Sequence, residues 1–305
     1  MPAEDSGHGE ALARQARAYS DGSPLDEIHY LECKLILNAD RFTSARSFQE
    51  YGALVRRAAH QTGVGFFTKD AERSRPRLRE ILFVDTPDFR FYNNAFILRR
   101  RIAYEDGFPV GDPEIVFKYR HPDLQKAAEL DMRPRIAADY RIKFKAEALP
   151  LRDKLGGYRL LYSHNVQFRL RPTMQGDLTS MGTLAQVFPA LEALKTSDAE
   201  RVKVVNKAIV EEVLQDLGSL DFGKGVITDS NASLWRTRGE HRSLVGEFAF
   251  QCKFRRKDQQ HEAAMHRCKQ FFIALQEIGG DWVSLGTTKT GAVYRLGGNP
   301  PQTHE

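Results

Sequence analysis

Residues 96–102 read Phe96-Ile97-Leu98-Arg99-Arg100-Arg101-Ile102, and residues 115–120 read Ile115-Val116-Phe117-Lys118-Tyr119-Arg120. In the first, Phe96, Leu98 and Ile102 face one way while Arg99 and Arg101 face the other. In the second, Ile115, Phe117 and Tyr119 oppose Lys118 and Arg120. A period of two is the mark of a strand with one face against a core. Arg100 is an exception, falling on the apolar side.

Working outward, the same alternation recurs. Leu31, Cys33, Leu35 and Leu37 alternate with Tyr30, Glu32, Lys34 and Ile36 in a first strand. Arg79–Asp85 reads as another, followed by a turn at Thr86-Pro87-Asp88. Tyr140, Ile142, Phe144 and Ala146 oppose Arg141, Lys143, Lys145 and Glu147, and Val166, Phe168 and Leu170 oppose Gln167, Arg169 and Arg171. Late in the chain, Ser233–Glu240 contains Trp235, and Phe248, Phe250, Cys252 and Phe254 oppose Glu247, Gln251, Lys253 and Arg255.

Helical spacing appears in four places. Thr43 or Ser44 opens a helix to about His60, with Phe48, Tyr51, Leu54, Val55 and Ala58 on one side. A block from Gly182 to Leu217 divides into Leu184–Leu194 and Ala199–Leu217, the latter with Val202, Val205, Ile209, Val210, Val213 and Leu217 as its apolar stripe. Glu262–Gly279 is a last helix, and Ala292–Leu296 is expected as a short strand. With no internal repeat, these elements define one α+β domain over residues 25–298, built on an antiparallel sheet, with tails at 1–24 and 299–305. Strands on both sides of the helical block have to meet to close it.

The polar faces of these strands are not the mixed surface that solvent tolerates. Lys34, Arg99, Arg101, Lys118, Arg120, Arg141, Lys143, Lys145, Arg169 and Arg171 stand against only Glu32, Glu147 and Glu247. That surface carries more net positive charge than the whole chain, whose formal charge is +5. Crowding like charges inside a low-dielectric barrel is unfavourable unless a bound anion offsets it. A closed cationic barrel for a polyphosphate-type anion is the consequence.

Composition limits the remaining classes. At 305 residues, 41% hydrophobic and 28% charged, the chain can bury a sizeable core. Its apolar runs are far shorter than the roughly 20 residues of a membrane span. Three scattered cysteines, Cys33, Cys252 and Cys268, make neither a disulfide framework nor a Cys-rich zinc site, which suits a reducing cytoplasm.

Three further motifs read as structural. Gly218 to Gly225 nearly spells a phosphate-binding loop, but Gly225 stands where Ser or Thr would hold Mg²⁺, so Gly218 is expected as a helix C-cap. His261 and His266, spaced i,i+5, diverge around a helix instead of sharing a metal. Lys289-Thr290-Gly291 lacks a companion Ser-x-x-Lys and reads as a loop, with Lys289 near a barrel mouth. Single-strand nucleic-acid binding needs aromatics among the basic residues, and Phe117, Tyr119, Phe144 and Phe168 fall on the other face.

Glu32-Cys33-Lys34, Phe83-Val84-Asp85-Thr86-Pro87-Asp88, Leu98-Arg99-Arg100-Arg101 and Phe117-Lys118-Tyr119-Arg120, in that order, resemble the CYTH or triphosphate tunnel metalloenzyme pattern over roughly Glu27 to Lys253. The resemblance implies an eight-stranded antiparallel barrel binding triphosphate-containing substrates with Mg²⁺ or Mn²⁺. It places Lys34, Arg99, Arg101, Lys118, Arg141 and Lys143 or Lys145 on phosphate oxygens, and Glu32, Glu147 and Glu247 on the metal. With Lys34, Glu32 and Glu247 would form the catalytic group of a triphosphatase. The family's first strand typically reads Glu-x-Glu-x-Lys, and here Tyr30 stands at the first Glu. A non-catalytic polyphosphate-binding module, an adenylate cyclase and an RNA 5′-triphosphatase are therefore the alternatives, with nucleic acid entering only as a triphosphate end.

Overall fold

The computed structural model describes residues 27–68, 75–170, 178–254 and 261–298. The alternating stretches form strands β1 (Tyr30–Leu37), β2 (Gly65–Phe67), β3 (Arg77–Asp85), β4 (Phe96–Glu105), β5 (Phe108–His121), β6 (Tyr140–Pro150) and β7 (Tyr158–Arg169), followed by β8 (Lys203–Val204), β9 (Val210–Asp221), β10 (Ile227–Thr237) and β11 (Ser243–Lys253). The sheet runs β2-β9-β10-β11-β1-β6-β7-β5-β4-β3-β8, and a further pairing of β9 with β3 closes nine of these strands into a barrel. All neighbours are antiparallel except β1 and β6, which run parallel with Glu32 opposite Glu147. The expected closed barrel is present, with one strand more than the eight implied and one parallel seam.

Two apolar clusters cover the outside. Helices α1 (Ala45–Gln61) and α5 (Glu262–Ile278) pack Phe48, Tyr51, Val55, Phe271 and Leu275 on the outward side chains of β1, β10 and β11, among them Cys33, Leu35, Phe248 and Phe250. Around Phe117, Val166 and Phe168, the outer face of β4, β5 and β7 is covered by Phe188, Leu184 and Leu191. Leu184 belongs to a short helix, α4 (Met181–Val187), which follows α2 (Arg90–Asn93) and α3 (Leu124–Glu129). Burying one face of each strand in this way leaves its alternate side chains pointing inward.

The third cluster lies inside the barrel. Ile36, Ile81, Phe83, Ile97 and Trp235 are inward-facing, and Val293 and Tyr294 of helix α6 (Lys289–Tyr294) pack on them with no exposed surface. The Tyr294 ring lies 6.0 Å from Phe83 and stacks on Tyr92 at 4.2 Å. α6 therefore plugs one end of the barrel. Residues 292–296 were expected as a strand. They are helical because the Thr288 hydroxyl caps the N-terminus, accepting from the Gly291 N–H at 3.0 Å.

The expected helix over Ala199–Leu217 is also absent. Asn206 and Lys207 adopt positive φ (52° and 53°), and Val210 onward is extended as β9. The run Val202, Val204, Val205, Ile209 and Val210 is β-branched throughout and pays in side-chain freedom to become helical. Gly218 is then no helix cap: it lies in β9 at φ +138°, beside a register shift opposite Ser230 and Asn231. A Cβ there would stand 2.5 Å from the Phe67 carbonyl oxygen, so the close approach of β2 requires glycine. Among the described residues, no helix is long and apolar enough to cross a membrane.

Candidate anion tunnel

The inward side chains enclose a cavity of about 300 Å³. It is lined by eight cationic side chains, Lys34, Arg79, Arg99, Arg101, Lys118, Arg120, Lys145 and Lys289, and by the carboxylates of Glu32, Glu212 and Glu247. The period-two alternation puts them there: β1 contributes Glu32, Lys34 and Ile36, and β4 contributes Ile97, Arg99 and Arg101. Asn165, Gln167 and Asn231 supply neutral polar groups, and Trp235 and Thr288 lie at the plugged end.

Glu147 is fully buried at the β6 wall. Its Oε1 accepts from Lys118 Nζ and Ser163 Oγ, while Oε2 faces Lys34 Nζ at 3.0 Å and Arg120 Nη1 at 3.5 Å. Burial, the largest single influence, would raise its pKa, but Lys118, Lys34 and Arg120 together hold the carboxyl well below the usual carboxylate range. Lys34 also reaches Glu32 at 2.9 Å, and Lys145 reaches the same Glu32 oxygen at 3.0 Å. Against the opposing effect of burial, Lys145 and Lys34 hold Glu32 low. Burial likewise works against the Lys34 ammonium, yet Glu147 and Glu32 raise its pKa above the ordinary lysine value.

A second knot lies towards α6. Glu212 accepts from Trp235 Nε1 at 2.8 Å and from Arg79, and Lys289 Nζ stands 3.3 Å from Glu212 and 2.6 Å from Glu247. Burial opposes ionisation of Glu212, but Lys289, Arg79 and the Trp235 hydrogen bond hold it below its ordinary value. Arg99 is the contrasting case. Its Nε is buried without a hydrogen-bond partner among the described residues, and burial, aided by repulsion from Arg101, pushes the guanidinium down to about 9.

The structure brings together Glu32, Lys34, Arg99, Arg101, Lys118, Arg120, Lys145, Glu147 and Glu247 of the residues expected from the sequence. Arg141 and Lys143 share the inward face of β6 but lie outside the cavity: Arg141 is exposed, and the Lys143 ammonium sits 5.1 Å over the Tyr30 ring. Arg169 is exposed and donates to the Asp112 carbonyl. Arg171 lies outside the described residues. Arg79, Glu212 and Lys289 complete the wall. Arg79 is legible as the first of Arg79, Ile81 and Phe83 on one strand face, whereas Glu212 was hidden by the helical reading of its segment.

A divalent cation would need several oxygen ligands turned towards one point. Here Glu147 has both oxygens engaged by side-chain donors, and Glu32 and Glu247 each hold a lysine ammonium. Among the described residues, no group of three or more His, Cys, Asp or Glu side chains is arranged to hold a metal ion. The donor set of Glu32, Glu147 and Glu247 therefore does not fit a resident Mg²⁺ or Mn²⁺.

No protein-family profile matches the chain, and no curated protein is similar to it. Among solved structures, the chain is similar to a candidate adenylyl cyclase from Hippeastrum described as having a dominant triphosphatase activity, at 15% identity, 88% of this chain, 96% of that chain and a TM-score of 0.42. It is also similar to a protein from Pyrococcus horikoshii OT3, at 14% identity over 89% of this chain and 100% of that one, with a TM-score of 0.35. A candidate adenylate cyclase from Bacillus halodurans, at 12% identity over 86% and 95%, has a TM-score of 0.35. The chemistry rests on the tunnel's own residues.

Proposed function

We propose that this protein takes the end of a triphosphate-containing ligand into the tunnel and hydrolyses one of its phosphoanhydride bonds. The observation that carries the reading is the convergence of eight cationic side chains from five strands and one helix on a single cavity with three carboxylates. That excess is unfavourable in the empty protein and is offset when a polyanion enters. The cavity volume, about 300 Å³, suits a polyphosphate moiety better than a whole nucleotide. With α6 filling one end, the ligand enters from the Tyr30 side, so a chain terminus fits where a threaded polyphosphate does not.

In this reading the guanidinium forks of Arg99, Arg101 and Arg120 hold non-bridging oxygens, and Lys118, whose charged form burial disfavours and Glu147 supports, meets charge developing on the leaving phosphate. Glu32, held ionised by Lys145 and Lys34, is a weak base and acts by orienting the attacking water. The ion-paired carboxylates favour one second reading, a binding module that holds the anion without cleaving it.

Two measurements on the purified chain decide between them. Tripolyphosphate at millimolar concentration and modest salt should raise the thermal midpoint, and Lys118→Ala should abolish the shift. Phosphate release from triphosphates, followed with EDTA, Mg²⁺ or Mn²⁺, should be lost in Glu32→Gln. The tunnel reading fails if no shift occurs, and a shift without release in any medium establishes the binding module.

A further inference from the structure

Lys289 is the first residue of α6, and its position is tightly specified. The helix is anchored by the Thr288 cap and by Asn206 Nδ2, which donates to the carbonyls of Val293 and Tyr294 at 2.9 and 2.8 Å. From there the ammonium reaches between Glu247 and Glu212, at 2.6 and 3.3 Å, and lies 4.7 Å over the Trp235 ring. Trp235 donates to the same Glu212 oxygen through Nε1. The carboxylates come from separate strands, β9 and β11, so the lysine is what joins them.

We infer that Lys289 is a built-in counter-cation for the Glu212–Glu247 pair, and that the tunnel consequently takes its polyphosphate as the free anion and not as a divalent-metal complex. The inference rests on the proposed anion-binding function. Two carboxylates facing a poorly solvated cavity repel one another and call for a cation between them. A metal ion could serve, but it would have to displace a charge tethered to the same chain, which competes at a high effective concentration. Lys34 does the same for Glu32 and Glu147, at 2.9 and 3.0 Å, so each carboxylate pair has its own ammonium. Magnesium on the ligand would also cancel part of the charge that attracts it to eight cationic side chains, and would bring a second positive centre among them.

Tripolyphosphate binding to the full chain is measured by calorimetry in EDTA and again in excess Mg²⁺. Binding in EDTA should be at least as tight as in Mg²⁺; a tenfold or greater weakening in EDTA overturns the inference. Separately, Mn²⁺ binding to the ligand-free protein is followed by the loss of the free-ion paramagnetic resonance signal. Wild type should bind no Mn²⁺ at millimolar concentration, Lys289→Met should gain one site, and Lys289→Arg should not. Mn²⁺ binding by wild type, or a folded Lys289→Met without a new site, also overturns it. Failure of tripolyphosphate to bind in either medium would defeat the proposed function instead, and the Mn²⁺ measurements would still judge the role of Lys289.

Discussion

The Tyr294 hydroxyl donates to Asp85 Oδ2 at 2.9 Å, joining the plug helix to the Asp-Thr-Pro turn across 209 residues of chain. Asp85 is buried and also accepts from the backbone N–H groups of Thr86, Phe91 and Tyr92 at 2.7, 2.8 and 3.0 Å. One carboxylate thus fixes the turn, the first residues of α2 and the closed end of the tunnel. The turn motif that contributed to the family resemblance is, in this chain, an anchor for the plug.

Removing that hydroxyl should weaken the fold without opening the tunnel. Burial pushes Asp85 up to about 6, so near pH 8 it is ionised and its hydrogen bonds are charge-assisted. Tyr294→Phe keeps the stacking on Tyr92 and leaves the ring volume unchanged. A loss of about 1.5–3 kcal/mol in urea unfolding is expected, with tripolyphosphate affinity preserved. A change within experimental error would show that the hydroxyl contributes nothing to anchoring.

Glu147→Gln should be far more damaging, and in a way the ligand repairs. The neutral amide leaves Lys34, Lys118 and Arg120 facing one another in a buried space, a loss of about 3–5 kcal/mol by analogy with other broken buried pairs. A polyanion supplies the missing negative charge. The rise in thermal midpoint on adding tripolyphosphate should therefore be larger in Glu147→Gln than in wild type. An equal or smaller rise would mean that the anion does not reach these cations.

Most of the barrel was legible because burial was one-sided. Where a strand sets Phe117 against Lys118, or Phe248 against Glu247, the period is unambiguous. It becomes ambiguous in β9, whose residues Val210, Val213 and Leu217 fit a helical stripe as well as Val210, Glu212 and Leu214 fit a strand, and Glu212 was lost with it. Parity also overstated the site: Arg141 and Lys143 have the right phase, but tunnel depth depends on strand register, which sequence period does not contain. Glu32, Glu147 and Glu247 were found, but not their pairing with lysines, because that depends on which strands become neighbours around the barrel.

A histidine outside the tunnel sets an acid limit on stability. His164 stacks on Phe144 at 4.1 Å and 3°, and burial, only partly opposed by Asp131, pushes the imidazole down to about 4. The unfolded chain protonates it near 6.5. Because the folded value is the lower, its stabilising contribution is fully present above about 6.5 and is lost as pH falls from there through 4. Unfolding free energies measured between pH 7.5 and 4 should decline by about 3 kcal/mol more in wild type than in His164→Gln. Parallel curves would place the imidazole in contact with solvent.

Arg99 gives the most direct test of what the tunnel is for. Among the described residues no carboxylate lies within ion-pair distance of it, its Nε is buried without a partner, and Arg101 adds repulsion. Such a group costs stability in the empty protein and is useful only when an anion meets it. Arg99→Met should therefore stabilise the ligand-free chain, by about 1–3 kcal/mol, while weakening tripolyphosphate binding at pH 7.5 by tenfold or more. If Arg99→Met binds as wild type does, the anion is held elsewhere in the barrel, and the buried charge needs another explanation.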